Sequence, residues 1–222
     1  MEDKGNDKLT TTKQFFDLAL ELECFLKSMH GLYLDSLLGY KLIDETIKKD
    51  HDFLKSFSSD PEILSGELHK TCSFSHKQVF KGPIPSADLF AYNNAEVEAR
   101  VKETGVNCHY LGLVVIVSLY SWWEYSFREK LSCACGQKNI KCFFWGDLRL
   151  LRNRLLHDGA NTRKEFKSGA KTSFFKELAE EADIFLSVEI IAHIFRLMYV
   201  CHNHLFTKSL TSTEIRVPIE QR

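Results

Sequence analysis

The sequence predicts an all-α protein, a helical bundle with a long N-terminal helical extension. Three observations carry this expectation. Apolar side chains recur at spacings of three and four over long stretches, the period of one helix face. Only four prolines and eleven glycines fall in 222 residues, so long helices meet few breaks. Leu111 to Leu131 is apolar nearly all round, as the central helix of a bundle is. Apolar residues make up 44% and aromatics 12% of the chain, enough for a real core, which sets disorder aside.

The elements follow in order. Phe15, Leu18, Leu22, Phe25, Met29 and Leu32 form a helical stripe, continued by Tyr40, Ile43 and Ile47. Residues 1–58 therefore read as one long helix, or two with a kink near Gly31. Ser58-Ser59-Asp60-Pro61 ends it. Residues 59–95 hold Gly66, Gly82, Pro83 and Pro85 and read as a connector. A bundle is expected over 96–207. Its first helix starts at Asn94-Ala95-Glu96, breaks near Gly105 and ends at Gly136. The next runs from about Cys142 to His157 or Asp158, with Gly159 placed as a C′ glycine. Residues 159–173 are polar and basic and read as a loop. A short helix is expected over 174–181 and an extended piece over 184–186. Ser187 N-caps a last helix over 188–207. Residues 208–222 read as a loosely held tail.

Charge and cysteine usage narrow the classes of function. The net charge of −1 excludes a generally basic nucleic-acid binder, so any such site has to be a local patch. Seven cysteines, an odd number scattered through apolar segments, argue against a disulfide framework. The first residues, MEDKGNDK, hold no apolar run, so no signal peptide is expected. Leu111 to Trp123 falls short of the roughly 18 apolar residues of a membrane span. A cytoplasmic protein with no membrane partner is the expectation.

The chemistry concentrates in Arg152-Asn153-Arg154-Leu155-Leu156-His157, at the end of an apolar helix. Leu148, Leu151 and Leu155 make its core face, and Arg149, Asn153 and His157 form a row on one flank. Arg152 lies between the two and can reach towards the row with its long side chain. Arg152, Asn153 and His157 thus suit phosphodiester cleavage in RNA. A histidine can take the proton of the 2′-hydroxyl or give one to the leaving oxygen. A guanidinium offers fixed donors to the anionic transition state, and a short amide can orient the phosphate. This arrangement requires no metal and no cofactor. Seven basic residues stand against two acidic ones between Arg149 and Lys171. Arg149, Arg154, Arg163, Lys164 and Lys167 are the candidate RNA contacts in this patch, although each also reads as ordinary surface charge.

The motif resembles the R-x4-6-H signature of the HEPN superfamily, with the polar Asn153 following the arginine. Leu119-Tyr120-Ser121-Trp122-Trp123-Glu124 looks like the helix that packs beside the motif helix in that family. Phe174 to Leu186, followed by a helix, is similar to the closing segment of plasmid- and phage-associated members. The resemblance covers about residues 96–207. It implies a helical bundle that forms a homodimer with a shared cleft, RNA as substrate, and cleavage leaving 2′,3′-cyclic phosphate ends. It also implies a setting in toxin–antitoxin or phage-defence systems, with an antitoxin or other partner protein. Family members that have lost activity suggest the alternative, a module that only binds RNA, a nucleotide or a partner.

Other features invite competing readings. Cys133-Ala134-Cys135 with Cys142 lacks the paired spacing of structural zinc sites and reads as small buried hydrophobes. His202 and His204, two apart on a helix, point to different faces and read as a helix-end surface. The aromatic residues around Trp122 and Phe143 read as core, with Trp145 the one candidate for stacking on a base. Glu124 is a candidate partner for the motif arginine or histidine, and equally a surface carboxylate.

Overall fold

In a computed structural model of the chain, residues 4–57, 71–73, 91–136, 140–157, 159–207 and 214–215 are described. The protein is mainly helical. Its helices are α1 (Lys4–Phe57), α2 (Asn94–Val101), α3 (Val106–Trp122), α4 (Arg128–Ala134), α5 (Phe143–Leu156), α6 (Ala160–Gly169), α7 (Ser173–Glu180) and α8 (Val188–Thr207). A π-helical segment, Trp123–Phe127, joins α3 to α4. Two short strand pairs complete the described elements. β1 (Thr71–Ser73) pairs antiparallel with β2 (Ala91–Asn93), and β3 (Lys141–Cys142) pairs parallel with β4 (Glu214–Ile215). The expected stop at 58–61, most of the connector 59–95 and most of the tail 208–222 lie outside the described residues.

The chain forms two compact units. One comprises Met1–Tyr33 with Tyr110–Arg222, and the other Leu34–His109. This division falls within α1, at Tyr33, and differs from the expected boundary at residue 58. The first part of α1 packs within the larger unit. Leu18, Leu22, Leu26 and Tyr33 are buried on one face of α1. Phe25 stacks on Trp122 at 4.0 Å, and His30 on Phe195 at 4.3 Å. Lys130 closes an ion pair with Glu21, and the His202 ring lies 3.1 Å from the Ala19 carbonyl through Nε2. The expected stripe drifts along the helix: Leu32 is exposed, and Leu26 and Tyr33 bury in its place.

The core of the larger unit is built from helix faces that the periodicity marks. Val115, Ile116 and Leu119 of α3 are buried, as are Leu148 and Leu151 of α5, and Ile191, Ile194, Phe195 and Met198 of α8. Ser187 supports α8 from its N-terminal side. Its hydroxyl accepts the Ile190 N–H at 3.4 Å, and its carbonyl the Ile191 N–H at 3.1 Å. Gly112 lets α3 approach α8, since a Cβ there would come within 3.0 Å of the Ile191 and Leu186 side chains. Gly136, at φ +63°, takes the left-handed conformation just after α4. The helical run Val106–Ala134 is long and apolar enough by composition to cross a membrane, yet 39% of that window is buried within the structure.

In the smaller unit, α1 continues through Phe57 with Leu34, Leu38 and Leu42 exposed. The break near Gly105 is present as a turn, in which the Gly105 N–H donates to the Lys102 carbonyl. Cys108 is buried beyond it, with its thiol 3.3 Å from the same carbonyl.

One segment departs from expectation. Residues 160–169, read as loop, form α6. Gly159 is accordingly the N-cap of α6 rather than a C′ residue, with extended φ and ψ of −147° and 152°. The apolar signal was faint because only Phe166 of its ten residues is buried. That one ring and the Ala170 methyl, buried just beyond, anchor an otherwise polar helix.

Candidate functional site

The site is organised on α5, whose start is fixed by a buried carboxylate. Asp147 is fully buried and accepts three hydrogen bonds: Lys171 N–H at 2.9 Å, Thr172 N–H at 2.8 Å and the Thr172 hydroxyl at 2.9 Å. It ties α5 to the segment that opens α7. Burial pushes the Asp147 carboxyl above its usual range, and the three donors only partly offset this. The neutral form is thus favoured by folding. Its contribution to stability is present in acid and is lost as pH rises through the raised folded value. In thermal melts between about pH 4 and pH 7, the parent should gain on Asp147→Asn as the pH falls. A flat difference would contradict this assignment.

The three motif residues occupy the last two turns of α5 and its C-cap. Arg152 is half-buried, with its guanidinium 5.0 Å from the centre of the Tyr120 ring, a cation–π contact. Its buried Nε has no hydrogen-bond partner among the described residues. Asn153 is half-buried, and its carbonyl accepts the His157 N–H at 3.0 Å. His157 is the C-cap and is exposed. Among the described residues, no hydrogen bond joins the Arg152, Asn153 and His157 side chains within one chain. The helix holds them on neighbouring turns without locking them together.

The surroundings of His157 were only partly foreseen. Its carbonyl accepts the Thr162 hydroxyl at 2.6 Å, and that hydroxyl also lies 2.8 Å from the Gly159 carbonyl. These contacts pin the end of α5 to the first turn of α6. His157, Gly159, Ala160, Asn161 and Thr162 line an open depression of about 310 Å³. The imidazole therefore stands beside a helix N-terminus, where unsatisfied backbone N–H groups favour an anion. Reading 159–173 as loop hid this feature. A glycine followed by Thr162, which can hydrogen-bond back towards the preceding helix, was the available signal.

The basic patch divides. Arg154 is buried, and its Nη2 donates to the Ala182 carbonyl at 2.9 Å. Arg163 donates to the same carbonyl. Lys167 is ion-paired with Glu180. Arg154 thus contradicts its reading as a phosphate contact or surface charge, because its side chain goes to hold the α7–α8 connection. Arg163 and Lys167 are exposed but engaged, while Arg149 and Lys164 are exposed.

Glu124 is turned elsewhere than towards the motif. It receives Arg128 through both oxygens at 3.0 Å and the Tyr120 hydroxyl at 3.3 Å. Burial, reinforced by Glu124, pushes the Tyr120 hydroxyl above its ordinary range. Trp145 is not an open stacking platform, being buried against Trp123 with ring centres 4.6 Å apart and planes 5° apart. The cysteines also depart from a uniform buried set. Cys142 and Cys201 are buried with sulfurs 3.2 Å apart, but Cys133 is exposed and Cys135 half-buried. Among the described residues, no three His, Cys, Asp or Glu side chains gather as a metal site.

The fold and this site define a mainly helical protein with an exposed histidine between two helix ends. No family model matches the chain, and no curated protein or solved structure shows significant similarity to it.

Proposed function

We propose that the protein is a cytoplasmic, metal-independent endoribonuclease of the HEPN type, acting as a homodimer. One observation carries the reading: His157 is exposed at the meeting point of the α5 C-terminus and the α6 N-terminus, beside an open depression. An RNA phosphate seated there meets an imidazole and the positive end of a helix together. In the proposed reaction the 2′-hydroxyl attacks phosphorus and gives its proton to one histidine. The P–O5′ bond breaks, and the 5′-oxygen takes a proton from a second histidine, leaving a 2′,3′-cyclic phosphate. Arg152 stabilises the negative charge of the transition state, and Asn153 orients the phosphate. Arg149, Lys164 and the exposed parts of Arg163 attract the strand.

The second histidine comes from a second copy of the chain, since one α5 carries only one. Leu156, 44% exposed next to His157, is an apolar residue at the position such a dimer would cover. A phage-defence or toxin–antitoxin role, with an antitoxin partner, is part of this proposal and follows from the resemblance of the motif. The test is incubation of the purified protein with single-stranded RNA in EDTA. Fragments ending in 2′,3′-cyclic phosphate are expected; intact RNA with a folded, dimeric protein would sink the reading.

A non-catalytic module binding RNA, a nucleotide or a partner protein is the second reading. The Arg152 stack on Tyr120 favours it, since that guanidinium already has a packing role. Expression separates the two: a parent as harmless as its His157→Ala variant favours the module.

A further inference from the structure

A second cavity lies on the other end of α5. It measures about 520 Å³, within the range of small-ligand sites. Trp145, Phe143 and Leu150 of α5 supply apolar wall, and Trp123 and Glu124 come from the π-helical segment. Such π-helical turns are rare and often mark functional sites. Arg149 and Lys171 bring cations to the same cavity from different parts of the chain, while Arg128 there is ion-paired with Glu124. Glu124 and the hydrogen-bonded Asp147 are its acidic members. The Trp145 indole N–H, although buried, has no hydrogen-bond partner among the described residues. An apolar cleft edged with the cations Arg149 and Lys171 suits a planar heteroaromatic group that carries a phosphate.

Its position connects it with the first site. Arg149 lines the cleft, and Arg149, Asn153 and His157 follow one another at intervals of four along the same helix. Eight residues of helix span about 12 Å, the reach of a few nucleotides of a strand. We propose that this cleft is a nucleotide subsite, taking one base and its phosphate from the RNA strand cut at His157. The proposal rests on the nuclease reading for the source of the nucleotide, but not for the cleft's capacity to bind one. The base seats against the half-buried Phe143 and Leu150 side chains, and the phosphate lies between Arg149 and Lys171. The subsite would then fix which base stands at a set distance from the cut.

Gly146 provides a clean block. It lines the cleft, and a Cβ added there meets nothing within 4 Å. Leucine at this position fills the cavity while removing a glycine from a helix interior, so the fold should tolerate it. The experiment titrates adenosine 5′-monophosphate, inorganic phosphate and a short 2′-O-methyl oligoribonucleotide, which cannot be cut, into the intact protein. Binding is read by tryptophan fluorescence, since Trp123 and Trp145 both line the cleft. Saturable quenching by the monophosphate and the oligonucleotide is expected, with little change from phosphate alone. The Gly146→Leu variant should weaken both responses at least tenfold while melting no lower than the parent. Equal binding by parent and a folded Gly146→Leu variant, or no saturable response at all, overturns the subsite. A response to the monophosphate but not to the oligonucleotide overturns the RNA source and assigns a free nucleotide. Absence of cleavage with the quench intact counts against the nuclease reading alone.

Discussion

Replacing His157 with alanine should reduce RNA cleavage by about 10²–10⁴-fold, the usual worth of a positioned general acid or base. The substitution isolates chemistry from folding unusually well. The imidazole is exposed, and none of the described residues hydrogen-bonds to it. What His157 contributes to structure passes through its backbone: its N–H donates to Asn153, and its carbonyl accepts from Thr162. Alanine keeps both. The His157→Ala protein should therefore melt with the parent and keep the parent's oligomeric state, while cleavage of single-stranded RNA in EDTA collapses. Arg152 offers no such separation, because its guanidinium packs on Tyr120 and its loss disturbs the α3–α5 contact. Cleavage by His157→Ala at the parent's rate would remove the histidine from the reaction and leave the binding-module reading.

Leu26→Ala should cost about 2–5 kcal/mol, the range for emptying a fully buried leucine site. In a chain of this size that corresponds to a melting point lower by about 4–20 °C. Leu26 lies on α1 with no exposed surface, in the row with Leu18, Leu22 and Tyr33. The first 33 residues belong to the same compact unit as the motif helix, so the loss should appear in the melting of that unit. Leu20→Ala is the control, because Leu20 is 44% exposed on the same helix. If the two variants melt alike, α1 is an appendage after all, and the residues that bury Leu26 are misassigned.

Helices whose burial is a continuous stripe were legible from spacing alone. The last helix was expected at 188–207 and lies at Val188–Thr207, because seven apolar side chains of that segment meet the core at regular intervals. The spacing ends the motif helix at His157 or Asp158, and His157 is its C-cap. The α6 segment was not legible, since a helix held by a single ring leaves too weak a period to distinguish it from a charged loop. Arg154 reads from sequence as a phosphate contact or plain surface charge, because a sequence offers no way to see a carbonyl 28 residues further on. Once Ala182 is brought beside it, that carbonyl makes burial of the guanidinium affordable. The role of Asp147 is invisible in sequence for the same reason, as its three donors lie 24 and 25 residues away.

The motif with which the site began has correspondingly changed its make-up. Local helical geometry alone puts Arg152, Asn153 and His157 on neighbouring turns, since 3.6 residues per turn is a property of the backbone and needs no partner. Helix type, the apolar faces and the end of α5 were settled in the same way, by short-range spacing. Which cations remain available to a ligand, what stands beside the histidine and where the chain divides were decided by tertiary structure. Those outcomes depend on contacts between residues far apart in sequence, and burial, ion pairing and helix-end placement arise only when such residues meet.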